Sequence, residues 1–137
     1  MMFNPPNAQQ FFKTVWDIVR QIPEGNVSTY GQIASMIPSD NYTDPEQMKR
    51  LAPRWVGTAM RKTPKGLGIP WHRVINSQGK ISFPVGSAQA DEQMTLLEME
   101  GVLFDARGQV DFQVVGWVGP SDDYLESNDL LPPRALR

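Results

Sequence analysis

The chain has 137 residues, with 13 Lys and Arg against 15 Asp and Glu, a formal net charge of -2, and no cysteine. That length suits one domain with a single modest core, and the lack of thiols excludes disulfides, thiolate metal sites and cysteine nucleophiles. No apolar run approaches the roughly 20 residues that span a bilayer, and the first residues lack a secretory signal's basic start, so a soluble, intracellular, cytoplasmic protein with no membrane partner is expected. With a single histidine, His72, a zinc site is not expected, nor any cofactor.

After a loose start containing Pro5 and Pro6, the residues Phe11, Phe12, Val15, Trp16, Ile18, Val19 and Ile22 recur at helical spacing and stop at Pro23, predicting a first amphipathic helix. Pro23 to Asn26 form a turn, and Ser28 or Thr29 can cap a short second helix holding Tyr30, Ile33, Ala34 and Ile37 before Pro38. The polar stretch 38–50 reads as a connection, with one helical turn near Asp44 and Pro45. A third helix is expected after Pro53, carrying Trp55, Val56, Ala59 and Met60 on one side. Breakers fill Thr63 to Gly68, followed by Ile69 to Ile75 and a turn from Asn76 to Gly79. Residues 89–100 predict a fourth helix with Met94, Leu96 and Leu97 inward and Gly101 as its cap. The apolar runs Val102–Phe104 and Val110–Val118, separated by Asp105 to Gly108, predict a β-hairpin. The proline- and acid-rich stretch 120–137 reads as a surface tail.

The mean charge hides an asymmetry. Lys49, Arg50, Arg54, Arg61, Lys62, Lys65 and Arg73 fall in one window free of Asp and Glu, while all 15 acidic residues lie outside it. One basic face on an acidic body can bind a polyanion, although an exposed basic helix reads the same way. Two helices joined by a connection, the second of them basic, outline a helix-turn-helix module, and a hairpin after the helices fits its wing.

The sharpest motif is Pro70-Trp71-His72-Arg73-Val74. By residue chemistry alone, Trp71 and His72 read as packing residues. The motif resembles the Pro-Cys-His-Arg-Val signature of the O6-alkylguanine-DNA alkyltransferases, with tryptophan in the cysteine position. Val27 to Ala34 resembles that family's helix-turn-helix, Arg54 to Arg61 its recognition helix, and Glu100-Gly101 the glutamate closing its following helix, all in family order. The resemblance spans roughly positions 10–118, and the substitution at Trp71 marks the alkyltransferase-like branch.

The resemblance implies a mainly α fold with a small β-hairpin, a winged helix-turn-helix over residues 1–119, and a tail over 120–137. It also implies a non-enzymatic, monomeric reader that binds double-stranded DNA through the minor groove, flips O6-alkylguanine into a pocket and flags it for nucleotide-excision repair proteins. Alkyl transfer is not expected, because an indole N–H is a donor without a nucleophilic lone pair at neutral pH. The implied DNA surface is Tyr30, Arg54, Gly57, Met60, Arg61 and Arg73, with Arg54 as the finger filling the vacated stack. Tyr30 would crowd the phosphate and drive nucleotide rotation. The implied lesion pocket is Tyr30, Met60, Trp71, His72, Val74, Ser82, Phe83 and Ser87, with the Trp71 and Val74 carbonyls on the guanine amino group. His72 and Glu100 would survive as scaffolding.

Each role has a plainer counterpart: Arg54 as a phosphate contact or a solvated side chain, Tyr30 as core, Glu100 as an exposed helix-end carboxylate. The loop Ser82 to Ser87 and Thr63, where the enzymes carry asparagine, depart from the family pattern. Two other functions compete: a winged-helix regulator reading sequence through the major groove, and a hydrolase using His72 and Glu100. One histidine and no paired carboxylates disfavour the latter.

Overall fold

The first helix, α1 (Ala8–Val19), forms where apolar side chains recur every three or four residues, and it buries Phe11, Phe12, Val15, Ile18 and Val19. Its chain then tightens through bonds from Gln21 and Ile22 N–H to the Ile18 and Val19 carbonyls before Pro23. The computed structural model describes residues 5, 7–39 and 44–136. Pro6 and the middle of the expected 38–50 connection, residues 40–43, lie outside the described residues.

Thr29 caps α2 (Tyr30–Ser35), its hydroxyl accepting from Gln32 N–H at 3.0 Å. The third helix differs from expectation: α3 runs from Pro45 to Arg61 and contains Pro53, rather than starting after it. Asp44 caps it and Pro45 fills the first helical position, where a missing N–H costs nothing. Met48 and Ala52 then extend the buried stripe of Trp55, Val56 and Ala59 back past the proline. That added burial offsets the roughly 3 kcal/mol an interior proline costs. α3 packs on α1 and α2.

The β content is small and parallel. β1 (Ser28–Thr29) pairs with β2 (Val74–Ile75) in the register Ser28 to Val74 and Thr29 to Ile75, and Val27 bridges Gly116 on its other side. The hairpin expected over 102–118 is therefore corrected. Its turn does form, with the Asp105 carboxylate accepting from Arg107 and Gln109 N–H, but the two flanks do not pair as strands. Val110 N–H goes to the Gly79 carbonyl, and Val27 exchanges bonds with Val115 and Trp117. Residues within the second run instead form the short helix α5 (Phe112–Val115). The mainly helical fold class holds; its β element is a crossover pair that ties the Tyr30 end of α2 to the Trp71 segment.

α4 (Ala88–Met99) turns inward through Ala90, Gln93 and Leu97, and Met94 and Leu96 are only part-buried. Gly101, at φ +89°, takes the left-handed turn that ends it. The stretch 120–137 is corrected too. It contains α6 (Asp122–Ser127), whose Leu125 enters the main core with α1, α2 and α3. Tyr124, Leu125 and Leu130 dock an otherwise acidic segment on that core. The chain then runs along α2: Leu131 N–H reaches the Met36 carbonyl at 2.8 Å, and Arg134 N–H the Ser35 hydroxyl at 2.9 Å. A second, smaller core gathers Val27, Ile75, Leu97, Val102, Val110 and Val115 beneath β2 and α4.

Candidate nucleic-acid interface

A short 3₁₀ turn, Trp71–Arg73, leads into β2, and it sends successive side chains to different surroundings. Trp71 lines a cleft of about 560 Å³ with Val74; Tyr30 at the start of α2 and Pro53, Arg54, Gly57, Thr58, Met60 and Arg61 on α3 form the facing wall. Ser82, Phe83 and Pro84 border it from the following loop, and Gln93 reaches it from α4. The volume lies in the range of sites that take a small organic ring system. The Trp71 and Phe83 rings meet edge to face, centroids 6.2 Å apart and planes at 87°, which makes a defined apolar corner.

Behind Trp71 the chemistry is ionic and closed. His72 Nε2 lies 2.7 Å from Glu100 Oε2, and Arg73 donates to both Glu100 oxygens from Nε and to Oε2 from Nη2 at 2.7 Å. Gly25 N–H also donates to Glu100 Oε1 at 3.0 Å, and Arg73 Nη1 donates to the Ile22 carbonyl at 2.8 Å. Glu100 is 8% exposed, His72 13% and Arg73 17%. Burial pushes the Glu100 carboxyl up, but Arg73, the Gly25 N–H and His72 outweigh it and hold the group at about 2. The network cross-links the turn after α1, the 3₁₀ turn and the end of α4. Its carboxylate has no free face from which to act on a substrate.

The expected residues thus divide. Tyr30, Arg54, Gly57, Met60 and Arg61 from the DNA surface, and Trp71, Val74, Ser82 and Phe83 from the pocket, line the one cleft. Three do not. Arg73 is committed to Glu100 and Ile22, so it offers no free cation. The His72 ring turns to Glu100. Ser87 caps α4, accepting from Ala90 N–H at 3.2 Å. Glu100 is a buried anchor rather than an exposed helix-end carboxylate.

Gln93 is the residue that sequence reasoning missed. Its amide donates to the His72 and Val74 carbonyls at 3.1 and 3.0 Å and so fixes the backbone on either side of Arg73. A glutamine on the buried stripe of Ala90 and Leu97 was the available signal, since a polar group on an apolar face needs a partner. The Val74 carbonyl already accepts from Gln93, and the Trp71 carbonyl from Val74 N–H. Any ligand amino group there must use a second lone pair. Thr63 closes the end of α3, its hydroxyl donating to the Met60 carbonyl at 2.8 Å.

The rim carries exposed cations. Among the described residues the ion pairs are Lys13 with Asp17 and the two on Glu100, so Arg54 and Arg61 on this rim have no carboxylate partner among them. Arg54 is exposed; Arg61 is exposed and donates to the Thr58 hydroxyl at 3.1 Å. Among the described residues no three His, Asp or Glu side chains gather as metal ligands, and no helix is long and apolar enough to cross a membrane.

A family model described as 6-O-methylguanine DNA methyltransferase, DNA binding domain, matches residues 10–102. The DNA base-flipping protein of Escherichia coli (strain K12) is 38% identical over 107 residues, covering 78% of this chain and 74% of that protein. Alkyltransferase-like protein 1 of Schizosaccharomyces pombe is 42% identical over 93 residues, 68% of this chain and 77% of that one. The crystal structure of S. pombe Atl1 in complex with damaged DNA containing O6-carboxymethylguanine superposes with a TM-score of 0.59 at 37% identity, covering 80% of this chain and 95% of that chain. The chain belongs to the 6-O-methylguanine DNA methyltransferase family through its DNA-binding domain, as an alkyltransferase-like protein.

Proposed function

We propose that the protein recognises O6-alkylguanine in duplex DNA by flipping the base into the Trp71 cleft, and that it does so without chemistry. The observation that carries this reading is the pairing of an apolar aromatic corner, Trp71 on Phe83, with an α3 wall of Arg54 and Arg61. An alkyl group buries against the corner, while the arginines meet the phosphate backbone or the vacated stack. Flipping costs a few kcal/mol, less for a poorly paired lesion, so binding energy alone can report damage. We take Trp71 to stand where the family's enzymes carry their nucleophile. These 137 residues hold no thiol to take up an alkyl group. The likeness to a base-flipping protein and to Atl1 bound to damaged DNA supports the same reading.

In this reading Arg54 is the intercalating finger and Tyr30 drives nucleotide rotation. The protein acts as an intracellular monomer that hands its site to nucleotide-excision repair proteins. The test is a fluorescence titration of matched duplexes carrying guanine or O6-methylguanine, followed by mass spectrometry of protein and DNA. Preference for the modified duplex with both masses unchanged is expected. Equal affinity would replace the reading with a regulator that reads sequence, and a changed mass would mean an enzyme.

A further inference from the structure

We infer that Arg134, with Lys49, forms a second phosphate-binding station on the far side of Tyr30 from the Trp71 cleft. The inference rests on the DNA-binding reading above, and Arg134 lies outside the stretch that the family model matches. Tyr30 lines the Trp71 cleft, and its neighbour Gly31 lines a separate cleft of about 430 Å³ together with Lys49 and Arg134. One turn of α2 therefore divides two surfaces, one bearing Arg54 and Arg61 from α3 and the other Lys49 from α3 with Arg134.

The docked C-terminal segment positions Arg134 from both sides of its own backbone. Its N–H donates to the Ser35 hydroxyl at 2.9 Å, and its carbonyl accepts from the buried Gln32 amide at 3.0 Å. That amide also holds the Trp117 carbonyl at 2.8 Å, so the anchor belongs to the core. The guanidinium then lies across Gly31, where a methyl group would collide with it. The residue is exposed, and no described carboxylate pairs with it. On α3, Lys49 sits one turn before Pro53 and two before Gly57, on the stripe that continues into the Trp71 cleft. The nearest acids in sequence, Asp44 and Glu46, do not line this cleft, and Asp44 is occupied in capping α3. A duplex laid along α3 with a base flipped past Tyr30 brings its backbone over this station.

The experiment measures binding of plain and O6-methylguanine duplexes as a function of salt for the full chain and for Arg134→Ala, Lys49→Ala and Arg134→Lys. Each alanine variant is expected to weaken both duplexes by the same factor, about five- to tenfold near 0.1 M salt, and to lower the slope of log affinity on log salt by about 0.9. Arg134→Lys should keep the slope, which a packing role would not explain. Arg107→Ala, on the 105–108 turn, serves as the distant control. An unchanged slope in Arg134→Ala, or a loss no larger than that of Arg107→Ala, overturns the inference. The slope is read on plain duplex as well, so a failure of lesion preference in the parent protein is seen separately.

Discussion

Arg73 and Arg54 are both arginines of the basic window, yet one is spent inside the protein and the other is held outside it. Arg73 gives its guanidinium to Glu100 and the Ile22 carbonyl beneath the cleft, whereas Arg54 stands exposed on the α3 wall. The floor behind Trp71 has its charges paired and its carbonyls bonded before any ligand arrives. The rim's Arg54 and Arg61 have no carboxylate partner among the described residues. A reader of DNA needs both: a backbone that does not shift when a base enters, and cations whose partners are supplied by the nucleic acid. Positive charge in a sequence window therefore does not by itself count binding residues.

The sharpest way to break the floor is Glu100→Ala. It leaves Arg73, His72 and the Gly25 N–H without their shared acceptor, and loss of one partner from a buried ion pair typically costs about 3–5 kcal/mol. Urea unfolding should show a drop of that order; a loss as small as that of a surface carboxylate would mean that the network does not brace the segment. The same group sets a pH dependence. Its folded value is depressed from 4.5 to about 2, so its stabilisation is complete above 4.5 and disappears as pH falls through about 2. The magnitude is on the order of 3 kcal/mol. Stability of the parent and of Glu100→Gln, measured across that range, should converge toward the acid end; parallel curves would refute the assignment.

The same contrast explains what the sequence could and could not convey. α1 and a cap for α2 at Ser28 or Thr29 were legible because helical spacing and capping are local, and the structure selects Thr29. The Pro70-to-Val74 motif was legible through its resemblance to a family signature, and six of the eight pocket residues that the resemblance implies line one cleft. The 102–118 hairpin was not, because Val110 and Val115 find their partners at Gly79 and Val27, far away in the chain. Pro53 read as a helix start since its cost is local, while the packing of Met48 and Ala52 that overrides it is tertiary. Arg73, Gln93 and the docking of Leu125 failed to show for one reason: their roles are defined by a partner on another element.

At the rim, Arg54→Ala should lower affinity for the modified duplex roughly tenfold to a hundredfold if the side chain fills the vacated stack. Arg20, exposed at the end of α1, provides the comparison. If Arg20→Ala and Arg54→Ala weaken binding equally, Arg54 is an ordinary backbone contact, and the rim differs from the rest of the surface only in position.

Trp71 lies where floor and rim meet, so its removal gives the smallest and most discriminating effect. If the indole is the surface against which an alkyl group is buried, Trp71→Ala should leave affinity for plain duplex nearly unchanged and reduce preference for the modified one. A methyl group is worth about 0.8 kcal/mol when buried, which sets the expected loss for O6-methylguanine at roughly fourfold in the affinity ratio. The loss should grow with each further methylene that reaches the Trp71 and Phe83 corner. If instead both duplexes weaken in step, or the variant simply melts at a lower temperature with the ratio intact, Trp71 is a packing residue. Discrimination between guanine and its adducts would then have to arise from the cost of flipping alone.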